Sequence, residues 1–196
     1  MRHLCAIMVA VLFAIATAQA GPLHEAARKG DTDAAKVAVE QGAPLEETDV
    51  SGEPPLLIAA LAGSTEVVRL LLDAGADIHA GNKGGLTALH AAAYGGHAEV
   101  VRLLIARGGA VNQSKNFYRM SPLHAAAEEG HAEVVALLLE AGANIEAKER
   151  NGYTPLTQAG WREYWDAADL LMKAGAACQP ADLVGDWLHE ECSKRQ

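Results

Sequence analysis

The chain holds 196 residues, half of them apolar but only 5% aromatic, with 16 Lys and Arg against 25 Asp and Glu for a net charge of −9. That length can bury a core without metal or disulfide help, and the apolar share excludes an intrinsically disordered chain. The acidic balance excludes the basic footprint of a nucleic-acid binder and any pull toward anionic membranes, and three cysteines are too few for a disulfide scaffold.

Residues 1–20 read as an address. Arg2 is the only Lys or Arg before Arg28, Leu4 to Ala16 is an apolar run, and Ala18-Gln19-Ala20 offers a small-x-small cleavage site. Those are the three parts of a secretory signal peptide. A membrane anchor is the alternative, but a run of about 13 to 15 residues is short of the roughly 20 that a span needs. Cleavage after Ala20 removes Arg2 and no acid, so the exported chain has 176 residues and a charge of −10. It keeps Cys178 and Cys192, in an oxidising periplasmic or extracellular space, with no tie to the membrane.

From Gly21 onward the chain repeats itself. Leu23, Leu56, Leu89, Leu123 and Leu156 stand at spacings of 33, 33, 34 and 33, and the last two begin Ser121-Pro122-Leu123-His124 and Thr154-Pro155-Leu156-Thr157. Seven residues after each of the first four leucines comes Gly30, Gly63, Gly96 or Gly130. Nineteen after each of the five comes Gly42, Gly75, Gly108, Gly142 or Gly175. Ser or Thr before Pro starts a helix, since the cap accepts an orphan N–H and Pro has none to waste. Stretches such as Ala125-Ala126-Ala127 predict a slim first helix, and the glycine at plus seven a positive-φ stop. Runs such as Val67-Val68 with Leu70-Leu71-Leu72 predict a second helix that one copy cannot bury alone, so neighbours must stack.

This pattern resembles the ankyrin repeat over residues 21 to about 178. The resemblance implies an all-α solenoid of helix-turn-helix units joined by protruding hairpin loops. Residues 21–50, 51–83, 84–116, 117–149 and 150–178 form the five copies, and residues 179–196 a C-terminal capping helix and tail. Copy two carries Leu57 in place of the histidine, which breaks any histidine-mediated network there. Copy five carries Glu163 in place of the turn glycine, so its inter-helix turn is expected to be altered. Leu183, Val184, Trp187 and Leu188 stand at helical spacing in a closing helix over Pro180 to Cys192, which Gly185 weakens.

Catalytic and metal chemistry find little support. His90 and His97, like His124 and His131, are seven apart with a glycine turn between them, and the resemblance gives these histidines structural roles. A zinc site wants three or four convergent ligands. No nucleophile elbow, phosphate loop or His-Glu-x-x-His motif is present. A non-enzymatic chain without cofactor or metal is the reading. Cys178 fills the inward slot held by Leu45, Ile78, Val111 and Ile145 in the other copies, and Cys192 ends the closing helix. Either the two form a disulfide that clamps this helix to the last repeat, or they are two buried free thiols.

Ankyrin arrays generally bind proteins through hairpin tips and the exposed side of the first helices. Carried onto this sequence, that surface includes Glu53, Leu61, Leu86 and Glu128, and it gathers five of the eight aromatics that follow the leader. Tyr94, Phe117, Met120, Tyr118, Arg150, Tyr153, Trp161 and Arg162, all in copies three to five, are the expected contact residues. The competing reading packs the aromatics against neighbouring repeats. The extra residue behind the 34 spacing is expected to lengthen the loop bearing Phe117 and Tyr118, where Arg119 replaces a glycine. The functional expectation is a monomeric, periplasmic or secreted module that docks a protein. Alternatives are an inhibitor or immunity-type protein neutralising a toxin or enzyme, and a host-directed effector.

Overall fold

A computed structural model describes residues 21–195; the signal-peptide expectation for residues 1–20 lies outside them. Five helix pairs follow one another. They are α1 (Pro22–Lys29) with α2 (Thr32–Glu40), α3 (Pro55–Leu61) with α4 (Thr65–Asp73), and α5 (Ala88–Tyr94) with α6 (Ala98–Ala106). Then come α7 (Pro122–Glu128) with α8 (Ala132–Glu140), and α9 (Pro155–Trp161) with α10 (Trp165–Lys173). Two further helices, α11 (Ala181–Val184) and α12 (Asp186–Arg195), close the array. Among the described residues there is no strand, only an isolated bridge between Gly81 and Thr87 in one hairpin.

The alanines set the spacing of the stack. Ala59, Ala92, Ala126 and Ala159 each have no exposed surface, so adjacent first helices meet almost backbone to backbone. The second helices pack through longer side chains, with Leu71, Leu104, Leu138 and Leu171 fully buried. The first helices therefore pack more closely than the second helices, and each repeat completes its core only against the next. Small residues at plus four continue through Ala60, Ala93 and Ala127 to Gly160. At Gly160 an added Cβ would come within 2.6 Å of the Leu188 side chain, so the last repeat gives up a methyl group to admit the cap.

The turn between paired helices needs the left-handed region, and Gly30, Gly63, Gly96 and Gly130 supply it with φ of +68° to +73°. Glu163 takes φ +60° in the same slot. The turn of copy five is therefore not altered as expected: Glu163 bears the strain, and its neighbour Tyr164 lies over Gly130 as His131 lies over Gly96. The closing segment also differs from one continuous helix. Gly185, at φ +87°, divides it into α11 and α12. Val184 and Leu188 face inward while Leu183 and Trp187 are exposed. A disulfide joins Cys178 to Cys192 with their Cα atoms 5.9 Å apart, fastening α12 to the end of the last repeat.

Candidate partner-docking groove

The hairpins between repeats form a row of fingers, each built on one residue seven positions before the marker leucine. Asp49, Asn82, Asn116 and Glu149 occupy this slot, and all but Asn82 are buried. Their side-chain oxygens accept backbone N–H groups from within the tip. Asp49 accepts from Ser51 and Glu53 at 2.9 and 3.1 Å, and Asn82 from Gly84 and Leu86 at the same two distances. Glu149 accepts from Asn151 and Tyr153 at 2.7 and 3.3 Å. Burial pushes the Asp49 carboxyl up, but the N–H groups of Glu53 and Ser51 and the guanidinium of Arg28 outweigh it and hold Asp49 below the usual carboxylate range.

The extra residue of copy four lies ahead of the tip. The tip from Asn116 to Met120 keeps the length of its neighbours, with Arg119 at φ +56° where they carry Gly52, Gly85 and Gly152. In the other fingers a backbone N–H closes the tip, as from Asn82 to Leu86 O at 2.9 Å. Here the Asn116 side-chain amide makes that bond instead, donating to Met120 O at 2.6 Å.

Histidines anchor the fingers to the first helices. His90 Nδ1 accepts from the Thr87 N–H at 3.2 Å, and Nε2–H donates to the carbonyls of Gln113 and Met120 at 3.1 and 3.0 Å. His124 repeats the pattern with Ser121 and with Tyr153 O at 3.1 Å. His97 and His131 donate to Leu61 O and Tyr94 O, each at 2.9 Å. All four histidines are thus engaged with backbone. Burial pushes the His90 and His124 pKa values down despite these carbonyls. Among the described residues no group of three or more His, Cys, Asp or Glu could hold a metal ion.

Between the fingers and the exposed side of the first helices runs an open groove of about 510 Å³, reaching from copy two to copy five. Leu57, Leu61, Leu86 and Met120 give it an apolar surface, Tyr94 and Tyr118 add half-exposed rings, and Glu53, Glu128 and Glu149 supply carboxylates.

The eight expected contact residues divide into groups. Tyr94, Tyr118 and Met120 line the groove. Phe117 and Arg150 lie on the fingertips, the guanidinium 4.7 Å from the ring centre, with Tyr118 edge-on to Phe117 at 5.1 Å. Backbone bonds lace these tips together, from Phe117 N–H to Gly84 O and from Arg150 N–H to Tyr118 O, both 2.8 Å. Tyr153 packs on Trp161 at 4.2 Å, and the indole N–H donates to Val184 O at 3.4 Å, so this pair leans on the cap. Arg162 pairs with Glu128 of the preceding repeat at 3.0 Å. Leu57, Glu149 and Gln158 line the groove but escaped the sequence-based selection. The signal was their register: they stand one and two residues after, and seven before, a marker leucine.

Family comparison agrees with this geometry. A family model described as ankyrin repeats in three copies matches residues 8–82, 76–149 and 119–182. No curated protein matches the chain significantly. With the matches running across most of its length, the chain belongs to the ankyrin repeat family.

Proposed function

We propose that the protein is a non-enzymatic docking module, exported from the cytoplasm, that binds a protein partner in the groove between its fingers and first helices. Ankyrin repeats are in general protein-interaction modules. The observation that carries the reading here is the open groove with Tyr94 and Tyr118 half exposed in it. Exposed aromatic rings in a concave apolar surface suit a contact hot spot. The fingertips that frame it are held by backbone bonds between neighbours, so little order has to be gained on binding.

Two titratable side chains of the groove, His90 and Glu149, are committed to holding the fold. Both His90 nitrogens are engaged, and Glu149 is held by two backbone N–H groups. The leader pattern of residues 1–20 and the Cys178–Cys192 disulfide both favour an oxidising compartment. Affinity capture from the native host tests the reading. Wild type retains a partner that the Tyr94→Ala/Tyr118→Ala variant loses, and the captured chain begins at Gly21. Retention by the variant removes the groove from the interface, and an intact Met1 removes export by cleavage.

A further inference from the structure

We propose that the groove selects an extended partner segment in which arginine or lysine alternates with apolar side chains. The proposal rests on the docking reading above and adds the chemistry of what is docked.

The side chains that line the groove carry three carboxylates, Glu53, Glu128 and Glu149, and not one Lys or Arg. Glu149 is the most telling. Its side chain is buried, with only 5% of the residue exposed, and among the described residues its carboxylate has N–H partners but no cation. A buried carboxylate without a counter-charge is costly, and an incoming cation offsets that cost. Glu53 likewise forms no ion pair among the described residues, and Glu128 has only Arg162.

A second observation points the same way. Gln158, on α9, lines the same wall, and its Oε1 is buried without a hydrogen-bond partner among the described residues. Gln158 Oε1 and the unpaired Glu53 carboxylate are thus acceptors that an incoming donor can satisfy. A guanidinium brings five N–H donors in a planar fork and stacks on aromatic faces, and Tyr94 and Tyr118 offer such faces. Beside the carboxylates, Leu61, Leu86 and Met120 line the groove with apolar side chains. An extended segment sends alternate side chains to opposite sides, so it can place a cation and an apolar group in succession along such a trough.

The fingertips carry the opposite sign. Lys83, Arg119 and Arg150 are exposed on the tips and none of them lines the groove. An acidic segment would be held at that ridge, and a basic one finds its counter-charges only in the groove below it. The net charge of −9 favours the same partner at long range.

Selection from a random peptide display library against the full chain tests this, followed by fluorescence polarisation of the selected peptides. The expected peptides combine Arg or Lys with Leu or aromatic residues, and their affinity falls with added salt. They bind at least tenfold more weakly to Glu53→Gln/Glu149→Gln and to Tyr118→Ala. Glu53→Gln alone, at a partly exposed residue whose carboxylate forms no bond among the described residues, weakens them severalfold and covers the case in which the double variant does not fold. Neutral or acidic peptides that still require Tyr118 overturn the charge preference and leave the docking reading intact. A folded partner captured through Tyr118, with no peptide selected, overturns the extended segment alone. Peptides indifferent to Tyr118 and to Glu53 overturn both readings.

Discussion

Gln179, bonded to Thr157 in the histidine slot of copy five, does there what the histidine does in copies three and four. Its Oε1 accepts the Thr157 hydroxyl at 2.5 Å and the Thr154 N–H at 2.9 Å, and its amide donates to Gly152 O at 2.8 Å. In copies three and four the ring of His90 or His124 ties the start of the first helix to the next finger. Copy five has no following finger, and a glutamine from beyond the repeat closes the gap. Gln179→Ala leaves the buried Thr154 N–H without its acceptor and the Thr157 hydroxyl with only Thr154 Oγ1 at 3.3 Å, and should cost about 2 kcal/mol. Urea unfolding checks the loss, and faster amide exchange at Thr154 localises it; wild-type stability in the variant would show that the glutamine is dispensable.

The disulfide should matter most at the C-terminal end. Cys178 and Cys192 are 14 positions apart, and closing a loop of that length is worth about 3 kcal/mol in the chain-entropy account. Repeat arrays lose stability locally, because each copy contacts only its neighbours. Reduction, or Cys178→Ser/Cys192→Ser, should therefore speed amide exchange in α12 and α9 and leave α3 to α6 protected. Uniform loosening of all five copies would contradict a local clamp.

Acid should loosen the middle of the array. Burial lowers the His90 and His124 pKa values from their ordinary 6.5, so the unfolded chain binds protons that the fold refuses. Their contribution is fully present above the unfolded pKa and is lost as the pH falls through and below it. The urea midpoint should hold steady from about pH 8 to pH 7 and fall between about pH 6.5 and pH 5. His124→Gln should flatten that slope. Asp49 works in a lower window, because its depressed pKa gives stability that is lost only as acid approaches the carboxylate range. An unchanged midpoint between pH 7 and pH 5 would refute the burial argument.

Two non-glycine residues sit where their counterparts are glycine. Arg119 and Glu163 hold φ of +56° and +60°. A left-handed L-residue costs roughly 1 to 2 kcal/mol, part of which a glycine returns through its freer unfolded chain. Arg119→Gly and Glu163→Gly should each raise stability by about 1 kcal/mol, read as an upward shift of the thermal midpoint. A fall at either site would mean that its side chain makes contacts worth more than the strain.

The period of 33 made the helix pairs, the alanine stack and the left-handed turns legible, because each depends on local residue types recurring in register. The exceptions arose where tertiary context prevailed. Glu163 was expected to alter a turn, but the demand for a left-handed residue came from the stack and the backbone complied. The closing helix broke at Gly185, whose missing side chain tolerates a φ that no helix interior allows. At the groove, Tyr94 and Tyr118 could be placed from repeat register alone. Trp161 and Tyr153 could not, since their mutual contact and the bond to Val184 depend on where the cap folds back. Glu149 resembled one more surface acid in the sequence, and only the finger shows it buried.

Titration of the captured partner into wild type and into Tyr94→Ala/Tyr118→Ala by calorimetry tests the docking groove most directly. Half-exposed rings at a contact centre predict at least a tenfold loss of affinity, about 1.4 kcal/mol or more, with the thermal midpoint of the free array unchanged. Equal affinity for the two proteins would place the partner elsewhere on the array and contradict the account.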